Sequence, residues 1–456
     1  MRIKRWIAWV LSLALLLAYI PTKSANASQF ADIDNHWAKD DIERAVDEGL
    51  FVGVQPTKFA PDVAMTRAMF VTVIAKQSGY RPEDYKTTKF SDVKTKDWYA
   101  PAVAWAVQNR IVSGTSKTTF SPNKSITREQ VAVMMVNYAN YSNIVLPRVR
   151  KAKQFEDINQ CADFALDAIL TLYRSGIVEG MKQNRFAPKG TVTRAQGAVM
   201  LCNYMDISTH VYQDNEKVIL VAHRGYSKIA PENTLCSYQL AAEKGYTYVE
   251  TDVQFTKDNI PVLIHDDKID RVSNGSGNVK DLTYQQLKQY DFGSWKSEEY
   301  TGTKIATFEE FIKLCAQYHL RPYIELKGKM TATQITDLLD TVAQYGMQNQ
   351  VAWISFEYSD LLEIKKQSPY AELMLLAYNA RDGYIQKANA LKNGKNRITL
   401  SVSAKYLTPE NRARCLRNHL HIGMWTVNDY RYSVEMANTS ADFITTDVMT
   451  YDALYR

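Results

Sequence analysis

The sequence predicts two folds in one chain. An all-α set of three helix–loop–helix repeats, packed as a pseudo-trimer, precedes an α/β (β/α)8 barrel with an insertion after its second strand. Three observations predict this. One pattern is written three times between residues 30 and 205, strand-like and helix-like runs alternate from residue 218 onward, and charged residues cluster where those strands end.

At 456 residues the chain is long for a single domain, and roughly 150 residues per unit predicts two to four. An apolar fraction of 46% and a charged fraction of 23% allow large cores. The formal charge is +6, but Arg2, Lys4, Arg5 and Lys23 all lie in the first 27 residues. No block of like charge stands out elsewhere, which excludes nucleic acid and an acidic membrane surface as expected partners.

Residues 1–27 read as a secretory signal. Arg2, Lys4 and Arg5 precede an apolar run from Trp6 to Ile20, and Ala25-Asn26-Ala27 is a small-x-small cleavage site. The run falls short of the about 20 apolar residues a membrane span needs. An exported protein with no integral membrane segment after cleavage is expected. The cysteines (161, 202, 236, 315, 415) show no CxxC spacing, so neither a disulfide framework nor a thiolate metal site is predicted. Cys161 and Cys202 fall in one repeat, where packed thiols are expected over a bridge.

The repeats are placed at 28–88, 89–153 and 154–206. They open with Phe30-Ala31-Asp32, Phe90-Ser91-Asp92 and Phe155-Glu156-Asp157, each followed by a helical stretch. Next come Gly53, Gly114 and Gly180, expected in loops with positive φ, then Phe59-Ala60-Pro61, Phe120-Ser121-Pro122 and Phe186-Ala187-Pro188. Thr66-Arg67-Ala68, Thr127-Arg128-Glu129 and Thr193-Arg194-Ala195 start the second helices. Asp-to-Arg spacings are 35, 36 and 37 residues. Each threonine stands where an N-cap hydroxyl would accept free amides of the first turn. A unit of about 50 residues buries its own apolar face poorly, so the three should pack together.

These motifs resemble the S-layer homology (SLH) domain. The resemblance implies exported proteins held non-covalently on anionic, often pyruvylated, secondary cell-wall polysaccharide in bacteria with a Gram-positive type of envelope. Carried over, Arg67, Arg128 and Arg194 would meet the anionic sugar, since guanidinium forks suit carboxylates. Trp37 and Trp98 would line the grooves. The third repeat departs with Phe164 where a Trp is expected, and the second has Arg110 where the first has Gly49.

After a linker at 207–216, residues 217–456 alternate strands and helices. Predicted strands are Val218–Ala222, Tyr248–Gln254, Pro322–Leu326, Val351–Phe356, Glu372–Tyr378, Ile398–Ser403, Ile422–Val427 and Asp442–Thr446. Phe308–Tyr318, Thr333–Tyr345 and Tyr358–Gln367 read as helices between them. Residues 266–303 fit no βα unit and are expected as an insertion; a doubly wound open sheet is the competing layout.

In a (β/α)8 barrel the chemistry sits at the C-terminal strand ends. There the sequence places His223 and Arg224, Glu250 and Asp252, His265-Asp266, Glu325 and Lys327, Trp425 with Asn428, and Thr446-Asp447. Glu250 and Asp252 are two apart on a strand and project from one face, as do Glu325 and Lys327. Inward carboxylates need positive compensation, and three without a Cys favour a hard cation, Ca²⁺ or Mg²⁺, over zinc. Two histidines beside an acid cluster suit acid–base chemistry. Histidines 36, 210, 319, 419 and 421 are expected to be structural.

The set H-R-G (His223–Gly225), P-E-N-T (Pro231–Thr234), E-x-D, H-D, E-x-K and W-T-V-N resembles the glycerophosphodiester phosphodiesterase family, with no motif residue missing. That resemblance implies a TIM barrel that splits glycerophosphodiesters into glycerol 3-phosphate and an alcohol with a divalent cation. It also implies Glu250, Asp252 and Glu325 as metal ligands and His223 and His265 as general acid and base. Arg224 and Lys327 would bind phosphate, Glu232 and Asn233 would position, and Trp425 would wall the glycerol pocket. A wall-bound hydrolase on the bacterial surface is therefore the expected function. A non-catalytic glycerophosphate-binding protein, or a phosphodiesterase acting on lysophospholipid or phosphatidylinositol head groups, stands as the alternative.

Overall fold

A computed structural model describes residues 30–207 and 209–455, so the signal expected at 1–27 lies outside the described residues. The chain divides into two compact units: Met1–Tyr138 with Ala187–His210, and Ala139–Phe186 with Val211–Arg456. The segment expected as the third repeat thus contributes its first half to the second unit and its closing helix to the first.

In the first unit, helices α1 (Lys39–Asp47), α2 (Arg67–Gln77) and α3 (Ala100–Gln108) are followed by α4 (Arg128–Tyr141), which runs across the division, and α6 (Arg194–Ile207). The threonine caps form as expected: Oγ1 of Thr66, Thr127 and Thr193 accepts from the amides of Met69, Gln130 and Gln196 at 3.2, 3.3 and 3.2 Å. The aspartate of each opening motif holds the F-x-P turn. Asp32 accepts from Phe59 and Ala60 N at 2.9 and 2.7 Å, and Asp92 from Phe120 and Ser121 N at 2.8 and 2.7 Å. These two bonds offset the cost of a left-handed backbone at Ala60 (φ 61°) and Ser121 (φ 58°), residues that carry a Cβ.

The glycines at 53, 114 and 180 have another role than the expected one. Their φ is not positive; a Cβ on each would lie 2.4, 2.5 and 2.8 Å from a carbon of the Phe30, Phe90 or Phe155 ring. Close approach of the opening phenylalanine, absent from any local pattern, is what requires glycine there. Positive φ falls instead at Gly49 (72°) and at Arg110 (59°), where the second repeat carries a side chain.

Each second helix begins on the turn of another repeat. Arg67 and Ala68 N donate to Lys124 and Pro122 O; Arg128 and Glu129 N to Gly190 and Pro188 O; Arg194 and Ala195 N to Val63 and Pro61 O. This closes a ring within the first unit.

In the second unit, nine strands among the described residues form one sheet. The strands are β1 (Ile219–Ala222), β2 (Tyr248–Phe255), β3 (Pro261–Leu263), β4 (Arg321–Leu326), β5 (Ala352–Ser355), β6 (Glu372–Ala377), β7 (Ile398–Ser403), β8 (His421–Trp425) and β9 (Phe443–Thr446). Eight are parallel, and β1 pairs with both β2 (Val221↔Tyr248) and β9 (Ala222↔Thr446), which closes the barrel and rules out the open sheet. The inner face packs Val221, Tyr323, Ile354, Met374, Leu376 and Phe443. At Gly423 a Cβ would stand 2.1 Å from the Phe443 ring, so only glycine leaves that interior room.

Outside the barrel run α7 (Leu235–Glu243), α9 (Phe308–Tyr318), α10 (Ala332–Gln344), α11 (Tyr358–Gln367), α12 (Asp382–Leu391), α13 (Pro409–Arg417), α14 (Tyr430–Ala437) and the short α15 (Tyr451–Leu454). The insertion starts with β3, antiparallel on β2, carries α8 (Tyr284–Leu287), and has its own small core of Val262, Ile264, Ile269, Val272, Leu287 and Phe292. Helix α5 (Asp163–Arg174) also belongs to this unit: Asp167 accepts from Arg412 Nε at 2.9 Å and Ser440 N at 2.7 Å. No helix among the described residues is long and apolar enough to cross a membrane.

Candidate active site

Strand ends β1, β2, β4 and β9 bring the polar cluster together at one mouth of the barrel. Glu250 and Asp252 sit two apart on β2, and Asp252 pairs in register with Glu325 of β4. One oxygen from each of Glu250, Asp252 and Glu325 lies within 4.8 Å of the others. All three are held with little water. Burial, then the neighbouring Asp252 charge, raises the Glu250 carboxyl to about 8. Burial also raises Glu325, while at Asp252 the charges of Arg224 and Lys327 overcome burial and keep the carboxyl low.

Two buried oxygens in this group, Glu250 Oε1 and Asp252 Oδ1, accept no hydrogen bond. Buried carboxylate oxygens without a hydrogen bond are costly, and a hard divalent cation is the partner that all-oxygen ligands fit. The residues present therefore suit such an ion.

Each histidine is oriented by its own carboxylate. His223 Nδ1 lies 2.6 Å from Asp447 Oδ1, and its Nε2 lies 3.9 Å from Glu250 Oε2. His265 Nδ1 lies 2.7 Å from Asp266 Oδ1. A carboxylate accepting at Nδ1 fixes that proton there and leaves Nε2 as the nitrogen free to exchange one. Burial would lower His223, but Asp447 and then Glu250 outweigh it and hold the imidazole above its ordinary value. For His265 burial prevails and lowers it. Asp447 is brought down to about 2, its contact with His223 overcoming burial.

Arg224 follows the tight turn after β1 with φ 58°, its amide donating to Glu250 Oε2 at 3.0 Å. Its Nη1 donates to Glu232 Oε1 at 2.8 Å and its Nε stands 3.2 Å from Asp252 Oδ2; Nη2 bonds no other described residue. Lys327 Nζ donates to Glu325 Oε1 at 2.8 Å and lies 3.6 Å from Asp252. Asn233, buried with φ 57°, donates to Asp252 at 2.8 Å while its own oxygen accepts from Tyr238 Oη, Thr251 Oγ1 and Asp252 N. It fixes Asp252 in place.

Sequence reasoning missed Arg271. It lies in the insertion, donates from both terminal nitrogens to Glu232 at 2.8 Å and from Nε to Asp266 at 2.7 Å. The chain Arg224–Glu232–Arg271–Asp266–His265 thus links both sides of the mouth. Only the placement of a lone arginine near His265 could have hinted at it. Trp425 donates from its indole to Ser401 O at 3.3 Å and stands at the inner rim.

In the first unit, Trp37 and Trp98 are 68% and 64% exposed. The arginines are placed otherwise than direct sugar contact requires: Arg67, Arg128 and Arg194 are buried. Arg67 donates from Nε and Nη2 to Phe120 and Ser113 O at 2.9 and 3.0 Å, and Arg194 to Phe59 and Val52 O at 2.9 and 2.6 Å. Both lie over phenylalanine faces, 4.6 and 4.4 Å from the Phe120 and Phe59 centroids. They support the turns. Phe164, at the third repeat's expected Trp position, is 48% exposed in the second unit.

The model of the glycerophosphoryl diester phosphodiesterase family matches residues 223–450, and that of the S-layer homology domain matches 29–69, 89–132 and 154–198. Similar proteins include a glycerophosphodiester phosphodiesterase of Caldanaerobacter subterraneus subsp. tengcongensis, 32% identical over 234 residues, covering 51% of this chain and 94% of the relative. An amylopullulanase of Thermoanaerobacterium thermosulfurigenes is 34% identical over 183 residues, 40% of this chain and 10% of that one. Among solved structures, a phosphodiesterase of Oleispira antarctica in complex with the product sn-glycerol-3-phosphate has 28% identity and a TM-score of 0.48, covering 51% of this chain and 93% of that chain.

Proposed function

The chain belongs to the glycerophosphoryl diester phosphodiesterase family and carries three S-layer homology domains, and we propose that it is a wall-held, cation-dependent hydrolase using His223 and His265 as its acid–base pair. The observation that carries this reading is the pair of imidazoles, each tied at Nδ1 by its own carboxylate, beside the Glu250–Asp252–Glu325 group.

Those three carboxylates would hold a divalent cation, Ca²⁺ or Mg²⁺, which when bound offsets the charge of the phosphodiester. Arg224 and Lys327 orient the phosphate oxygens, Arg224 with the one terminal nitrogen it has not committed. The attacking oxygen, of water or of the substrate's own glycerol hydroxyl, closes on phosphorus and gives its proton to Nε2 of one imidazole. The bond from phosphorus to the alcohol oxygen breaks, and Nε2 of the other imidazole protonates that oxygen. Asn233 and Glu232 act by positioning Asp252 and Arg224.

The SLH part would hold an anionic, pyruvylated secondary cell-wall polysaccharide against exposed Trp37 and Trp98. Arg67, Arg128 and Arg194 would add positive potential from beneath the groove. An exported protein on the wall or S-layer of a bacterium with a Gram-positive type of envelope is the location this composition supports.

The test is release of glycerol 3-phosphate from glycerophosphocholine and glycerophosphoglycerol by the full chain in Ca²⁺, Mg²⁺ or EDTA. Release that needs a cation and is lost in His223→Ala and in His265→Ala supports the reading. No release from either diester with any cation overturns it.

A further inference from the structure

The barrel mouth carries a second region, which shares only Trp425 with the site residues above. Phe356 follows β5, Tyr378 follows β6, and Trp425 ends β8. Phe356 and Tyr378 stack at 5.3 Å, and both meet Trp425 edge-on, at 6.0 and 5.9 Å. These rings stand at the same strand ends as the carboxylates and histidines, yet Tyr378 is 59% exposed. Exposed aromatic faces at the rim of a site are contact surface for a substrate.

Aromatic faces alone would suit a quaternary amine or a sugar, so the neighbouring charges decide. Outward from Tyr378, a cavity of about 600 Å³ is lined by Arg381, Lys405, Tyr406, Asn411 and Arg414. Asp382, 3.5 Å from Arg414, is the acid paired with these cations; Arg381 and Lys405 form no ion pair among the described residues. A cationic leaving group would meet repulsion here, whereas a phosphate would meet the Arg381 guanidinium and the Lys405 ammonium, the latter over the Tyr406 ring and neither held by a carboxylate among the described residues.

We propose that this cavity is the leaving-alcohol subsite, and that it selects glycerophosphodiesters whose alcohol carries a further phosphate, as in a repeating glycerol phosphate chain. The scissile phosphate lies between the histidines, the alcohol runs past Phe356 and Tyr378, and the next phosphate rests on Arg381 and Lys405. This rests on the hydrolase reading above.

The experiment compares three substrates with the full chain in Ca²⁺ or Mg²⁺. They are glycerophosphocholine, glycerophosphoglycerol, and glycerophosphoglycerol carrying a phosphate on its distal hydroxyl. The expected result is a kcat/KM about 10-fold higher for the phosphorylated substrate than for glycerophosphoglycerol, an advantage that shrinks as salt screens it. In the double variant Arg381→Ala/Lys405→Ala that ratio falls to about one, while the melting temperature stays put because both side chains are exposed. Equal turnover of the last two substrates, preference for glycerophosphocholine, or a ratio unchanged in the variant overturns the inference alone. No turnover of any of the three overturns the hydrolase reading and this inference with it.

Discussion

Asp447 Oδ1 stands 2.6 Å from His223 Nδ1, and the same carboxylate accepts from Ser227 Oγ at 3.2 Å and from Asn428 Nδ2 at 2.5 Å. Three donors leave Asp447 no freedom to turn, so it dictates which imidazole nitrogen carries the proton. Asp447→Asn should therefore lower kcat by about 10²- to 10⁴-fold with little change in KM, the pattern of a wrong tautomer in an intact site. Steady-state kinetics beside a thermal melt would separate this from simple unfolding.

Two buried oxygens in the carboxylate group accept no hydrogen bond, so a bound cation would raise stability as well as serve the proposed reaction. A cation at about 100 times its Kd should add about 2.7 kcal/mol to the folded state, seen as a higher melting temperature that EDTA reverses. In Asp252→Asn the shift should vanish. A melt that ignores Ca²⁺ and Mg²⁺ alike would count against the cation site.

Arg271 ties the insertion to the mouth through Glu232 and Asp266. Arg271→Ala should cost about 10- to 100-fold in kcat/KM, because Arg224 and His265 each lose an orienting neighbour. The stability loss should stay near 1 kcal/mol, since Arg271 is half exposed and its pairs are screened. Activity and a urea midpoint measured on one preparation would check both.

Arg110 occupies a left-handed backbone position (φ 59°) that the first repeat fills with Gly49. Its side chain is exposed. Arg110→Gly should stabilise the first unit by about 0.5–1 kcal/mol, read as a higher denaturant midpoint for that unit.

Trp37→Ala and Trp98→Ala should weaken co-sedimentation with purified cell walls and leave the melting temperature unchanged, as both indoles are exposed. Trp105, 1% exposed, is the contrast: its replacement by Ala should cost about 3–5 kcal/mol.

Much of this molecule is legible in the chain because its signals are local. Strand period placed Glu250 and Asp252 on one face, and the threonine caps announced three helix starts that the structure shows. What escaped is non-local. Nothing near Gly53 says that a ring from Phe30 passes over it, and nothing near Arg67 says that Phe120 and Ser113 will take its protons. Likewise nothing near Asp167 says that it will bond Arg412 and Ser440, far along the chain.

The closed docking of Ala68 on Pro122, Glu129 on Pro188 and Ala195 on Pro61 has an evolutionary corollary. A stacked array can gain or lose a unit at its end, because the end is open. A ring has no end. Duplicating one more repeat would leave a helix start without a turn to rest on, and deleting one would leave two partners that cannot meet. Copy number in these S-layer homology repeats is thus set by geometry, and variation is channelled into the side chains that face outward.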